Sequence, residues 1–185
     1  SPCSTLRVLQ SETLAAFADP FFAGVATEVH LFEDSIRRQQ KAYRAMVSRR
    51  LRPGTLRVVG LVGVQSNQFP RALDLIEDAL AHGARVVIGG PHVTASINAA
   101  LYGISAIDPM RPGVPAPHAM PAEIRALIDR PGVVVFHGDA DHDGAWRDVL
   151  KDLVRGEARP YYEAGMASPL GAPGVPYTRA YLGDF

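Results

Sequence analysis

The sequence predicts an α/β fold built on a parallel β-sheet with helices on both faces. Short apolar runs rich in β-branched residues alternate with segments of helical period, which is typical of strand–helix–strand units. The run at residues 58–62 contains only apolar residues and glycine, as expected for a central parallel strand that helices cover on both sides. Strands joined by helices imply right-handed crossovers and parallel pairing.

Five runs are predicted to be strands: Leu6–Leu9, Glu28–Phe32, Arg57–Val64, Arg85–Ile88 and Val133–Phe136. Five strands at this spacing favour a doubly wound, flavodoxin-like (Rossmann-like) sheet with the strand order 2-1-3-4-5. Ligands of such sheets bind beyond the carboxyl ends of the strands, where the strand order reverses. The sequence therefore directs attention to the loops that follow the strands.

Helical periodicity predicts helices at residues 36–51, 70–83, 122–130 and 146–153. The first of these carries a basic stripe, which is interpreted as a solvated helix surface rather than a docking face. The proline-rich residues 104–121 are predicted to form an irregular excursion.

The length fits one domain, and the composition is that of an ordinary globular protein. Residues 1–156 are predicted to form it, and the Pro- and Gly-rich residues 157–185 a tail or linker.

Nineteen basic residues balance nineteen acidic ones, so bulk electrostatics gives no reason to expect nucleic acid or a membrane as partner. No apolar run approaches the roughly 20 residues of a membrane span, and no secretory signal is recognised, so a cytoplasmic location is expected. A single cysteine, Cys3, cannot form an internal disulfide or hold an iron–sulfur cluster.

Three loops that follow predicted strands have unusual compositions. Residues 65–71 begin with four polar side chains, which indicate either a binding loop or helix capping. Residues 89–94 begin with two glycines, which either let a large ligand approach the backbone or only form a turn. In that loop His92 is interpreted as a hydrogen-bonding or packing residue rather than a metal ligand. Residues 137–141 form a third glycine-bearing strand end.

Several other sites are disfavoured by the sequence. The first predicted strand-end loop, residues 10–12, lacks the glycines of a dinucleotide or nucleoside triphosphate site, and no Ser-His-Asp order stands out. Asp139, Asp141 and Asp143 match the opening of an EF-hand calcium loop, but Leu150 stands where that loop needs a bidentate carboxylate. Acidic residues at a helix start explain this segment better.

The stretch Val58–Ala95, which reads VVGLVGVQSNQFPRALDLIEDALAHGARVVIGGPHVTA, resembles the cobalamin-binding domain of B12-dependent radical SAM enzymes. The segments QFPRA and IGGPHVT carry the resemblance. Residues 136–141 resemble the family's glycine–acidic turn, with Asp139 and Asp141 in place of glutamates and Ala140 in place of glycine. The resemblance implies that the nucleotide tail of cobalamin lies between these loops. The implied cofactor-binding residues are Gln10, Ser11, Glu12, Gly63, Val64, Gln65, Ser66, Asn67, Gln68, Gly89, Gly90, His92, Val93, Thr94, Gly138 and Asp139.

The resemblance also implies a function. The chain would hold methylcobalamin and present it to a radical SAM domain, or to a separate catalytic chain, for methyl transfer. It would contain no catalytic residue and no iron–sulfur cluster of its own. Because the first predicted loop has no histidine, we expect the cobalt to receive no imidazole from it. Two alternatives stay open. One is a module that keeps the fold without the cofactor. The other is a flavodoxin-like response or electron-transfer domain, but the first predicted loop has neither the acidic residue nor the phosphate-binding composition that such a domain needs.

Overall fold

The computed structural model describes residues 4–102, 120–142 and 144–165. It is an α/β structure with one parallel sheet. The strands are β1 (Val58–Leu61), β2 (Arg85–Gly89), β3 (Val133–His137) and β4 (Tyr161–Glu163). The helices are α1 (Ser4–Phe17), α2 (Arg37–Val47), α3 (Phe69–Ala81), α4 (Pro91–Tyr102), α5 (Ala122–Ile128) and α6 (Ala145–Arg155), with a 3-10 turn at Pro20–Phe22.

The four strands pair in the order β1-β2-β3-β4, and every pair is parallel. The last three predicted strands are therefore confirmed, and they are neighbours in the predicted order. The predicted count of five and the order 2-1-3-4-5 are wrong for the described residues. Their strand order never reverses, so the described sheet offers no switch point to define a ligand site.

The first predicted strand, Leu6–Leu9, lies inside α1. That run has one β-branched residue, whereas Leu9, Thr13 and Ala16 recur at helical spacing and pack toward α6. The indole Nε1 of Trp146 donates a hydrogen bond of 2.9 Å to Thr13 Oγ1. The helical spacing of these residues and the contact with Trp146 therefore explain why the segment forms a helix, although its short apolar run predicted a strand.

The second predicted strand, Glu28–Phe32, forms no strand and pairs with none of the four strands. Its last residue, Phe32, packs edge to face on Tyr43 of α2, with ring centroids 5.8 Å apart. The segment is thus attached to a helix by side-chain packing. The prediction that this run forms a strand is therefore wrong.

The sheet separates two apolar cores. One contains side chains of Val59, Val86 and Val135 packed against α2, α3, α4 and α5. The other contains Val134 and Phe136 packed against α1 and α6. The predicted core positions of the last helix are confirmed, because Trp146, Val149, Leu150 and Leu153 are all buried.

The helices on the two faces give the crossovers different hands. The strands follow one direction across the sheet, while α3 packs on one face and α6 on the other. The β1–α3–β2 and β3–α6–β4 units therefore have opposite hands, and only one of them can be right-handed as expected.

The start of the predicted tail belongs to the sheet. Tyr161–Glu163 form β4, which pairs with β3 from Val135 to His137. This corrects the prediction for residues 157–165, whereas residues 166–185 lie outside the described part of the chain, as do Cys3, Asp143 and residues 104–119 of the predicted excursion. Within the described residues no helix is long and apolar enough to cross a membrane.

Candidate functional site

The loops after β1 and β2 are joined backbone to backbone. Val64 N–H donates to Gly89 O at 3.4 Å, and His92 N–H donates to Val64 O at 3.0 Å. Gly90 has φ +130°, and a Cβ there would stand 2.3 Å from Val64 N. The glycine pair is therefore required by the approach of the protein's own backbone, which is the turn interpretation that the sequence left open.

The loop after β3 is closed in the same way. Gly138 has φ +102°, and a Cβ there would stand 2.3 Å from Ala164 O. Its N–H donates to Thr94 Oγ1 at 3.4 Å, and Asp139 N–H donates to Gly165 O at 3.4 Å. These contacts hold the predicted third loop against α4 and the end of β4.

The polar run after β1 is exposed. Gln68 N–H donates to Gln65 O at 2.9 Å, and Gln65 N–H donates to Gln68 Oε1 at 3.2 Å, so these two residues close their own turn. Gln68 is the N-cap of α3 but forms no side-chain cap bond. Ser66 and Asn67 stand at the tip with exposed side chains. The run therefore combines turn closure with polar groups available for binding.

His92 links the first two loops. Its Nδ1 lies 3.0 Å from Ser66 Oγ, and the Phe69 ring packs against the imidazole at a centroid distance of 4.4 Å. Its Nε2 is buried without a hydrogen bond, 3.8 Å from Glu123 Oε1 of α5. One imidazole nitrogen is thus engaged by a hydroxyl, and the other faces a carboxylate.

His137 is buried at the end of β3 with both ring nitrogens bonded. Nδ1 lies 2.9 Å from the Tyr161 hydroxyl, and Nε2 lies 2.8 Å from Asn98 Oδ1. Because an amide oxygen only accepts, Nε2 carries the proton and Nδ1 accepts from the tyrosine. Burial lowers the pKa of His137, although the carboxylate of Glu163 acts in the opposite direction. This neutral imidazole ties α4 and β4 to β3.

Gln10, Ser11 and Glu12 do not lie in a strand-end loop. They occupy the middle of α1, because the strand expected before them is part of that helix. Thr5 of α1 does reach the loop after β1, since its methyl lies 3.4 Å from the Cβ position of Gly63. Their predicted location is therefore wrong.

The other predicted site residues lie together at the carboxyl edge of the sheet. Val64 and Val93 are buried in the core there. Asn98, Glu123 and Tyr161 join the same edge without having been singled out from the sequence. Nothing in their local sequence marks them, since each reaches the site from a different helix or strand.

The acidic segment after β3 leads into α6. Gly144, with φ +69°, is the N-cap of that helix, so Asp139 and Asp141 precede the helix, and the acidic residue in its first turn is Asp148. Among the described residues, no three His, Cys, Asp or Glu side chains are grouped as a metal site requires.

Two depressions lie at the opposite, amino edge of the sheet. One, of about 510 Å³, is open to solvent, and Arg85 and Arg130 line it. The other, of about 110 Å³, lies between the start of β3 and the end of α6. Neither includes a residue of the strand-end loops, so the candidate site is not one of these cavities.

The loop residues bear on the implied corrinoid in two ways. An added Cβ at Gly90 or Gly138 would meet the chain's own backbone, so these two glycines are explained without a nucleotide tail between the loops. The outer surface offers the exposed polar side chains of Gln65, Ser66 and Asn67. No protein-family model, curated protein or solved structure matches the chain.

Proposed function

We propose that this chain binds cobalamin on the outer surface of its strand-end loops and presents it to a radical SAM domain or a separate catalytic chain in the cytoplasm. One observation carries the proposal. The segments QFPRA and IGGPHVT, which carry the family resemblance, adjoin loops bonded directly through Val64, Gly89 and His92.

The residues available to hold the cofactor are polar and exposed. Cobalamin carries peripheral amides and a phosphodiester, which need hydrogen-bond donors and acceptors. Gln65, Ser66 and Asn67 offer amide and hydroxyl groups of both kinds. When bound, methylcobalamin would supply the methyl group and the cobalt chemistry, while this chain binds and orients it.

Neither strand-end histidine supports an imidazole ligand to cobalt. Both nitrogens of His137 are bonded to Tyr161 and Asn98. Nε2 of His92 is buried and faces Glu123. The proposal therefore keeps the expectation of cobalamin without a histidine ligand from this chain.

The test is a visible-absorption titration of the chain with hydroxocobalamin. We expect a saturable spectral change and retention of the corrinoid on gel filtration. The double variant Gln65→Ala/Asn67→Ala should bind at least about tenfold more weakly, because two or more hydrogen bonds of about 1 kcal/mol each are lost. The matched control Thr55→Ala, an exposed residue before β1 at the other edge of the sheet, should bind as the wild type does.

A second candidate function is an interaction module without the cofactor. The observation that favours it is the close backbone contact at Gly90, which explains this glycine without a ligand. A folded wild-type chain that retains no corrinoid would support this module and refute the cobalamin proposal.

A further inference from the structure

A serine, a histidine and a glutamate from three separate elements meet at the carboxyl edge of the sheet. Ser66 lies in the loop after β1, His92 in the first turn of α4, and Glu123 in the first turn of α5. Ser66 Oγ is 3.0 Å from His92 Nδ1, and Glu123 Oε1 is 3.8 Å from His92 Nε2. We propose that these residues form a nucleophile–base–carboxylate triad that hydrolyses esters of small carboxylic acids.

The difference in solvent exposure between Ser66 and His92 suits a nucleophile and its base. The Ser66 side chain is exposed, as a nucleophile that meets a substrate must be. The His92 side chain is 16% exposed and is held by the Phe69 ring and by the bond from its own N–H to Val64 O. The base is therefore fixed in place, while the nucleophile is open to solvent.

The ring nitrogens of His92 have complementary surroundings. If the imidazole proton is on Nε2, it points toward Glu123, the carboxylate within 4 Å. Nδ1 then has a free lone pair to accept the Ser66 proton, which is the requirement for a general base. The 3.8 Å separation is longer than a hydrogen bond, as is common in unliganded sites. The Glu123 side chain is 52% exposed, so rotation is free to shorten the separation.

The reaction balances with the groups present and water. Ser66 Oγ bonds to the acyl carbon, its proton moves to His92 Nδ1, and the bond from the acyl carbon to the leaving oxygen breaks. The leaving oxygen takes the proton from Nδ1. Water then attacks the acyl-serine, passes a proton to Nδ1, and the carboxylic acid leaves as Ser66 regains its hydrogen.

The start of α3 lies close to the nucleophile in the chain. This helix begins at Phe69, three residues after the nucleophile, and Gln68 gives it no side-chain cap. The uncapped positive end of the helix dipole favours an anion there. Because the triad needs no cofactor, the proposal goes beyond cobalamin binding.

The experiment uses the full chain without corrinoid and two probes, 4-nitrophenyl acetate and diisopropyl fluorophosphate. We expect nitrophenolate release above the buffer rate and phosphorylation of one residue, Ser66, located by peptide mass spectrometry. Ser66→Ala should lose the label and about 100-fold or more of the rate. Glu123→Gln, a change in a positioning residue, should lower kcat about tenfold or more with little change in KM, because it acts on the base and not on substrate binding.

Two controls separate the triad from unspecific surface chemistry. His82→Ala removes an imidazole that also lies beside a carboxylate, with Nδ1 3.6 Å from Asp78 Oδ1. Ser48→Ala removes another exposed hydroxyl. Both should keep the wild-type rate. The triad would be overturned by a wild-type rate in Ser66→Ala, by an equal loss of rate in His82→Ala, or by a label on another residue. These outcomes do not depend on the result of the corrinoid titration.

Discussion

The ends of β2 and β3 each carry a glycine with positive φ and a histidine, yet they have different roles. Both glycines are fixed by close backbone neighbours, Val64 beside Gly90 and Ala164 beside Gly138. The histidines differ. His137 is 2% exposed with both nitrogens bonded, whereas His92 is partly exposed with Nε2 free of hydrogen bonds.

This difference separates structural from chemical roles within one edge of the sheet. A buried imidazole with two partners stabilises the fold, and its nitrogens are occupied. A partly exposed imidazole beside a hydroxyl and a carboxylate is suited to proton transfer. Two histidines at equivalent strand ends are therefore suited to different roles, because their neighbours differ.

The largest effect on stability is expected at Gly90, one of the two glycines with positive φ at these strand ends. Gly90→Ala should reduce the free energy of unfolding by about 3–5 kcal/mol, because left-handed strain adds to a clash with the backbone of Val64. Urea denaturation measures this. Gly54→Ala is the matched control, because Gly54 also has positive φ, at +77°, but has no atom within 4 Å of the Cβ position. It should cost about 1 kcal/mol. Equal costs would mean that the loops do not meet at Gly90.

The histidines themselves should show the next effect. His137→Ala should cost about 2–4 kcal/mol, because it opens a buried space and removes a hydrogen-bond partner from Tyr161 and from Asn98. His92→Ala should cost about 1 kcal/mol, because its Ser66 bond is near solvent. Denaturation measures the free energy of unfolding of both variants. Equal values would contradict the difference between the two histidines.

The smallest effect is a dependence on pH. Burial holds the pKa of His137 below its ordinary value of 6.5. Below about pH 6.5 the unfolded chain binds a proton that the folded chain does not, so the free energy of unfolding falls until the lowered pKa is reached. The wild type should lose more stability than His137→Gln between about pH 7.5 and about pH 5.5. The same loss in His137→Gln as in the wild type would refute the assignment.

The sequence predicted β1, β2 and β3 because each is an apolar run between turn signals. It failed at Leu6–Leu9, where three apolar residues around Arg7 were too few to distinguish a strand from one turn of helix. It also missed β4, because a three-residue strand at a sheet edge takes its structure from β3 and not from its own composition.

At the candidate site the sequence located the loops but not their contacts. Two glycines after a strand predicted a close approach to the backbone, and the approach exists at Gly90. What approaches is the protein itself, at Val64. Local sequence could not distinguish a ligand from a neighbouring loop, since both require the absence of a Cβ.

The sequence by itself determined the α/β class, the strands β1, β2 and β3, the buried face of α6 and the polar loops at the strand ends, because these depend on local periodicity and turn chemistry. Only the tertiary structure decided the strand order, the buried pairing of His137 with Asn98 and Tyr161, and the meeting of Ser66, His92 and Glu123. These features depend on which elements become neighbours. That choice is made by packing between residues far apart in the chain, and no local pattern records it.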